Sequence, residues 1–381
     1  MESLASWLAS VAMSTVAQIT APPPALAPAI VPEGSTASIV RYRAGTALCG
    51  AAAQKVLLGE EPIPRLLWSA PGETGSAWTV PLRFRVDRSG RPHRIDRVSS
   101  GPPAVDERDV PGAFAAWRFA PGRERADCEI SFRAEPVSLD SVEPETLHRY
   151  LVLRRILPDT STDGGRAFRR IQPSGKVCAD GGFAAERSVA YPDWRAMRVP
   201  AGTFAFSHLR GDVKADGVPE NVRVIASSGN GEMDGRSVDA VNRSRFPGAE
   251  RRDCLFFYIV WHNRPLAAPA QPAITAFRDS EGACPDSPAW ARPPQSAYPP
   301  AFKVRRIEGW AIVRYDLSPA GAVLDPTVLA AEPASTFGEA ALNGLAKAVG
   351  RPSATGYRGC VEPVEFRLPP EESKNSRGKP D

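Results

Sequence analysis

The sequence predicts an α+β protein built from three tandem copies of one small module, in which strand, strand, helix and strand form an antiparallel three-stranded sheet packed by the helix. Three observations predict it: cysteine spacing that repeats, a turn glycine in register with that spacing, and apolar alternation that ends at each glycine. The cysteines fall as Cys49 and Cys128, Cys178 and Cys254, and Cys284 and Cys360, separated by 79, 76 and 76 positions. A fixed period of this kind marks duplicated units. Within the pairs lie Asp87-Arg88-Ser89-Gly90, Lys214-Ala215-Asp216-Gly217 and Ser318-Pro319-Ala320-Gly321, with 38, 37 and 39 residues from glycine to second cysteine. Tyr191-Pro192 and Tyr298-Pro299 stand 13 to 14 residues after Cys178 and Cys284, and Ile63-Pro64 takes the matching place in the first copy. Ser99-Ser100-Gly101 similarly answers Ser227-Ser228-Gly229.

The elements follow in order. Trp78, Val80, Leu82, Phe84 and Val86 alternate with mostly polar neighbours, as do Ala311, Val313, Tyr315 and Leu317. Each series predicts a half-buried strand that stops at its glycine turn. A second strand, through Ile95 and Val98, Val222 to Ile225, or Val323 to Leu329, closes an antiparallel hairpin. In the third copy Thr336 opens a Thr-x-x-Glu capping box closed by Glu339, with Phe337, Ala341, Leu345 and Ala348 on one face, and the helix stops at Gly350 and Pro352. Its counterparts are Ala113 to Phe119 and Ser237 to Arg245, and the last strands are Cys128 to Phe132, Cys254 to Val260 and Val361 to Leu368.

The expected boundaries are 1–36 for a signal peptide or short anchor with a Pro/Ala-rich linker, 37–135 for module 1, and 136–166 for a linker with a helix over Thr146 to Leu157. Module 2 spans 167–262, a linker 263–274, module 3 275–370 and a polar tail 371–381. The stretches Thr20 to Ser35 and Leu266 to Pro272 are rich in Pro and Ala and should be extended and solvated. Leu4 to Val16 is mildly apolar and ends at Thr15-Val16-Ala17, where a signal peptidase could cut before Gln18. Glu2 and the absence of a basic n-region depart from a secretory leader, so a membrane anchor and a soluble helix stay open. The apolar run is shorter than the ~20 residues a spanning helix needs.

Hydrophobic residues make up 43% of the chain and charged ones 24%, so most of it should bury a core. The net charge of +4 comes from arginines scattered among acids, which does not support a nucleic-acid footprint. Six cysteines allow fifteen connectivities, but only pairing within copies gives three related units the same geometry. Each closed loop would stabilise its module by about 4 kcal/mol, useful for modules too small to bury much core. Disulfides also imply an oxidising compartment. Buried free thiols and a zinc site are the alternatives, although no Cys-x-x-Cys or clustered histidine accompanies the cysteines. No metal site and no cofactor is expected.

Enzymatic motifs are missing: there is no Gly-x-Ser-x-Gly, His-Glu-x-x-His or phosphate loop, and Gly229-Asn230-Gly231 reads as a hairpin-like connection. His93, His148, His208 and His262 occupy unrelated positions in the copies and read as surface residues. Asp87 and Asp216 flank turns, where aspartate serves local hydrogen bonding.

The third copy carries Tyr298-Pro299, then Arg306-Ile307-Glu308-Gly309, the strand Ala311 to Leu317, the Ser-Pro-Ala-Gly turn, and a helix with Ala340-Ala341 before Pro352. In that order these resemble the C-terminal domain of TonB-type energy transducers. Ala116-Trp117-Arg118-Phe119-Ala120-Pro121 in the first copy is similar to that family's Trp-Arg-aromatic-x-Pro segment, and the second copy keeps only Phe246-Pro247. The resemblance covers residues 60–135, 190–262 and 296–368 and is fullest in the last. It implies a periplasmic, non-catalytic protein whose last strand pairs with an extended peptide, as the family does with outer-membrane transporters. Carried over by position, the pairing residues are Val364, Glu365, Phe366 and Arg367. The same alternation could serve only to seat Val364 and Phe366 in the core. Transducers of the family also carry an N-terminal membrane helix with a histidine and a long Pro-Glu/Pro-Lys spacer. Here the first histidine is His93 and no such spacer exists. The expected partners are therefore envelope proteins, outer-membrane transporters among them, and a membrane only where the N-terminal segment stays uncut. An inner-membrane transducer facing the periplasm is the alternative, and an enzyme with an unrecognised site is a further one.

Overall fold

The computed structural model describes residues 36–69, 75–99, 101, 105, 107–153, 167, 170, 190–193, 197–246, 250–261, 264–278, 284, 285 and 288–369. First come β1 (Thr36–Ala44), β2 (Leu48–Cys49), β3 (Ala52–Ala53), β4 (Val56–Leu58), β5 (Arg65–Ser69), β6 (Trp78–Val86), β7 (Pro92–Arg97), α1 (Asp109–Ala115), β8 (Arg118–Phe119) and β9 (Arg125–Ser138). Next are α2 (Pro144–Leu153), β10 (Phe204–Val213), β11 (Pro219–Ser227), α3 (Gly231–Arg243) and β12 (Arg251–Trp261). Last are β13 (Trp290–Arg292), α4 (Pro300–Val304), β14 (Gly309–Leu317), β15 (Val323–Glu332), α5 (Ser335–Leu345), β16 (Val349–Gly350) and β17 (Tyr357–Phe366). The result is a mixed α+β fold with several antiparallel sheets.

The middle and C-terminal sheets have three strands each, in the orders β11-β10-β12 and β15-β14-β17. The N-terminal sheet contains the same arrangement, with β6 between β7 and β9, but grows to seven strands. It grows because β9 runs on to Ser138 and offers an edge that β1 and β2 fill. The expected three-stranded sheet is thus too small there.

The hairpin turns show why glycine is required. Gly90, Gly217 and Gly321 have φ of 85°, 80° and 87°, where a Cβ is penalised. A Cβ on any of them would also collide with a backbone carbonyl, of Phe119, Phe246 and Gly350 respectively. That close approach is used: the N–H groups of Phe119, Phe246 and Gly350 donate to the carbonyls of Gly90, Gly217 and Gly321 at 2.8, 3.0 and 2.8 Å. The segment after each helix is thereby tied to the hairpin. Gly321→Ala is expected to destabilise the chain by about 1 to 3 kcal/mol from the backbone conformation alone, more with the collision. Chemical denaturation of the variant checks this, and an unchanged midpoint would contradict it.

Several element boundaries differ from expectation. α1 begins at Asp109 rather than Ala113, and Phe119 belongs to β8, which pairs with β4. α3 begins at Gly231, not Ser237, because Asn230 Oδ1 caps the Met233 N–H at 3.0 Å. Gly229-Asn230-Gly231 is accordingly a strand-to-helix junction rather than a hairpin connection. α5 has no side-chain cap, so the Thr336/Glu339 box does not form; its N-cap is Ala334, fixed instead by a parallel bridge to Ile95 of β7. Phe337, Ala341 and Leu345 face inward as the periodicity predicts. The helix expected after the first copy is present as α2, with Leu147, His148, Tyr150, Val152 and Leu153 buried.

The main core draws on all three sheets. Phe84, Phe114 and Phe132 from the N-terminal region pack in one cluster with Phe204 and Phe206 of β10 and with Phe302, Phe337 and Phe366 of the C-terminal region. The Leu266 to Pro272 stretch is docked at Leu266, while Ala267, Ala270 and Pro272 are exposed as expected. Leu266 is 9% exposed, its N–H donates to Arg306 O and its carbonyl accepts from Glu308 N–H, because both groups would otherwise be buried without partners. Cys49–Cys128 and Cys284–Cys360 are disulfides, and Cys254 is disulfide-bonded as well. Cys178, the N-terminal segment before residue 36, the polar tail and His262 lie outside the described residues.

Candidate functional site: the edge of the C-terminal sheet

β17 pairs with β14 on one side, and among the described strands none pairs with its other side. Among the described strands β12, the counterpart of β17 in the middle sheet, likewise pairs only with β10, whereas other hairpin edges are met by neighbouring elements. Residue Ile95 of β7 donates its N–H to Pro333 O at 2.8 Å, α2 packs on β11, and β1 lies along β9. An unpaired edge presents a row of backbone donors and acceptors to a further strand.

Of the sequence-predicted residues, Val364, Glu365 and Phe366 sit on this strand and Arg367 follows its last residue. Phe366 is 4% exposed, directly opposite Gly309, and its ring lies 5.1 Å from Phe337 and 5.7 Å from Tyr298. Val364, opposite Ala311, is half-buried in the same clusters. Glu365 and Arg367 point to solvent, each 50% exposed, and pair with each other at 3.4 Å. The core-seating role of Val364 and Phe366 is therefore real, and it is compatible with an open edge because side chains and backbone groups leave a strand in different directions.

The neighbouring motif residues build this strand's seat. Tyr298 O–H donates to Ile307 O at 2.7 Å, which sets its ring against Phe337 and Phe366. Burial, with the nearby Glu308 carboxylate, pushes the Tyr298 phenol well above its ordinary range, so it stays a donor. Gly309 has no side chain because a Cβ there would stand 2.5 Å from the Phe337 ring. Glu308 accepts from the Leu368 N–H at 3.0 Å and from Arg367 at 3.3 Å, clamping the end of the strand.

Pro363 fixes which backbone groups are free. It has no N–H, so a strand accommodates it where the amide would point away from the neighbour. The Leu368 N–H, five residues on, turns inward to Glu308. Alternation then sends the backbone groups of Glu365 and Arg367 to the open side. The outer face of the sheet is covered rather than bare, since Ile274 and Phe277 pack over Trp310, Ile312 and Val361.

Sequence reasoning missed three polar contacts between regions. Arg305 Nε and Nη2 donate to both oxygens of Asp109 at 2.8 and 2.7 Å, and its Nη1 reaches Glu60 at 3.3 Å. Its guanidinium also lies over the Phe204 ring, 4.9 Å from the centroid, so residues of all three regions meet at one cation. Burial raises the Glu60 carboxyl, against the pull of Arg305. Burial works likewise against the Arg305 charge, but Asp109 and Glu60 outweigh it and hold the guanidinium above its usual range.

The histidines are the second and third, and reading them as surface residues was mistaken for those described. His148 of α2 and His208 of β10 are 4% and 2% exposed, with their Nδ1 atoms 3.1 Å apart. His93 meets the buried Glu332 of β15 at 3.1 Å, and the Arg94 N–H donates to the same carboxylate at 2.8 Å. The only sequence signal for them was apolar company: Leu147 and Tyr150 flank His148, and Phe206 and Leu209 flank His208. Among the described residues no group of three or more His, Cys, Asp or Glu side chains could hold a metal ion.

A small sheet with a helix-packed face and an unpaired edge strand has the geometry with which strand-addition modules take up an extended peptide. Residues 294–368 match the family described as Gram-negative bacterial TonB protein C-terminal, and the match does not extend to the N-terminal or middle sheets. A search of curated proteins found nothing that matches this chain. The C-terminal sheet β15-β14-β17 with α5 fits a TonB C-terminal-like module, and that match together with the disulfides fits a protein of the cell envelope. Among the described residues no helix is long and apolar enough to cross a membrane.

Proposed function

We propose that this chain is a periplasmic, TonB-like interaction protein that binds extended segments of envelope proteins by strand addition at β17, without catalysis. The observation that carries the reading is the open edge of Val364, Glu365, Phe366 and Arg367 inside the segment that matches the TonB C-terminal family. Backbone hydrogen bonds would supply affinity, and pockets for alternate side chains specificity. Outer-membrane transporters are the expected partner class.

The reading includes three related modules, with boundaries 37–135, 167–262 and 275–370. Shared detail supports it. Arg94, Asn221 and Asp325, each four residues after a turn glycine, have φ of 48°, 53° and 47°, and Asp127, Asp253 and Gly359, each just before a second cysteine, have φ of 52°, 55° and 65°. Three unrelated sheets would not repeat two such uncommon conformations at matching places. On this reading the first module's edge is filled in cis by β1, and of the two modules whose last strand has an unpaired side, binding falls to the third because it lies in the segment that matches the family.

Titrating the full chain with peptides covering the periplasmic N-terminal segments of outer-membrane transporters is expected to give saturable binding with one peptide per chain. No binding to any such peptide, by calorimetry on the oxidised protein, would remove this function.

A further inference from the structure

The cations of the N-terminal region are scattered along the chain, but the fold gathers six of them at the turn end of the β6–β7 hairpin. Three segments meet there, residues 54–58, 87–91 and 118–125. The N–H groups of Phe119 and Gly122 donate to Gly90 O and Arg88 O at 2.8 and 3.0 Å, and the Ala120 N–H donates to Lys55 O at 2.9 Å. Val56 and Leu58 pair with Phe119 and Arg118. These ties bring Lys55, Arg88, Arg91, Arg118, Arg123 and Arg125 together, while the same segments hold only two carboxylates, Asp87 and Glu124. The positive excess at this one end equals the net +4 of the whole chain.

The nearby acids do not neutralise this cluster. Asp87 Oδ1 accepts from the N–H groups of Ser89 and Arg91 at 2.9 Å each, so it is engaged in holding the turn. Glu332 of β15, whose charge also acts on Arg91, is taken up by His93 and the Arg94 N–H. Among the described residues none of the six cations forms a salt bridge. Arg91 shows the imbalance most directly: burial, with the Arg118 charge beside it, pushes its guanidinium down to about 10, and its Nε and Nη2 are enclosed without a partner. Self-repulsion of this kind opposes folding, and an anionic partner relieves it.

The same end exposes apolar side chains. Val56 and Leu57 of β4 are 40% and 57% exposed, next to Trp117, which is buried. Lys55, Arg88 and Arg123 are exposed at the same end, and Arg91, Arg118 and Arg125 are half-buried. β4 has only three residues, and so short an edge strand resists strand addition. A purely polyanionic partner would use the cations and leave the aliphatic pair in water. An anionic bilayer uses both, since its phosphates meet the cations while aliphatic side chains enter the boundary between headgroups and acyl chains.

We propose that this end of the N-terminal region docks on an anionic phospholipid bilayer, with Val56 and Leu57 entering the headgroup layer and Lys55, Arg88 and Arg123 meeting lipid phosphates. Arg91, Arg118 and Arg125 stand behind them and add to the attraction without reaching the lipid. Such contact is peripheral and needs no spanning helix. It stands independently of peptide binding at β17.

The test is flotation of the oxidised full chain with vesicles of phosphatidylglycerol and phosphatidylcholine in equal parts, against vesicles of phosphatidylcholine alone. The chain is expected to float with the anionic vesicles, less so as salt is raised, and to stay behind with the neutral ones. R88A/R123A should lose about tenfold or more in lipid affinity, and V56S/L57S should lose about tenfold or more as well. Both should keep the wild-type denaturation midpoint, because the altered side chains are exposed. No flotation, or equal flotation with neutral vesicles, overturns the proposal. Wild-type affinity in either double variant does the same. Release by free glycerol phosphate at the concentration of the lipid phosphate would make the isolated phosphate the ligand and overturn the bilayer surface. Tight binding of a polyglutamate peptide without flotation would assign this end to an acidic protein instead.

Discussion

Arg305→Ala is expected to lower folding stability by about 3 to 5 kcal/mol, the range seen when one member of a buried ion pair is removed. The Arg305 side chain is fully buried, and Asp109 beside it is 2% exposed. Without the guanidinium, the Asp109 carboxylate keeps the Ile63 N–H at 2.7 Å but loses its countercharge, and Glu60 loses it too. Two carboxylates would then share a dry site, where an uncompensated charge is costly. Lysine should recover only part of the loss, because an ammonium cannot reproduce the two-pronged contact with Asp109 or the stacking on Phe204. Urea denaturation at neutral pH measures both variants. A loss under about 1 kcal/mol for the alanine variant would show that the junction does not hold the regions together. Because the main core includes side chains of all three sheets, unfolding should also remain one transition rather than three.

Acid is expected to destabilise the chain at the contact between α2 and β10. Burial, with the Arg210 charge, pushes the His148 imidazole down to about 4 from its ordinary 6.5. An unfolded chain takes up this proton as the pH falls below 6.5, whereas the folded chain resists it until about 4. The unfolded state therefore binds more protons in that window. Stability is fully present above pH 6.5 and is lost progressively toward pH 4, by up to about 3 kcal/mol. The geometry explains the resistance: with the Nδ1 atoms 3.1 Å apart, one ring must donate and the other accept, and two imidazolium rings would point N–H at N–H. Denaturation midpoints of wild type and H148L at pH 7, 6, 5 and 4 give the test. The leucine variant should lose less stability on acidification, and parallel curves would contradict the assignment.

Much of this fold was legible in the chain because its signals are local. Alternation from Trp78 to Val86 and from Ala311 to Leu317 marked β6 and β14, since a half-buried strand needs side chains on two faces. The turn glycines were legible because positive φ excludes most other residues. The cysteine spacing led to Cys49–Cys128 and Cys284–Cys360 because the repeat implies related units, and only pairing within each unit gives them the same geometry. The candidate residues on β17 were legible only through likeness to a known family. Nothing in Val364-Glu365-Phe366-Arg367 distinguishes an edge strand from an interior one.

What the sequence determined by itself was the α+β class, the hairpins, the helix faces and the position of the last strand, all properties of residues within one turn or one strand of each other. Only the tertiary structure decided that the regions share a core, that β1 covers the edge of β9 while β17 stays open, and that Arg305, Asp109 and Glu60 meet in a dry junction. The same holds for the His148 and His208 pair, whose members lie 60 positions apart. The physical reason is common to all of these. Edge occupancy and buried charge depend on which distant surface arrives, and neither periodicity nor propensity carries that information.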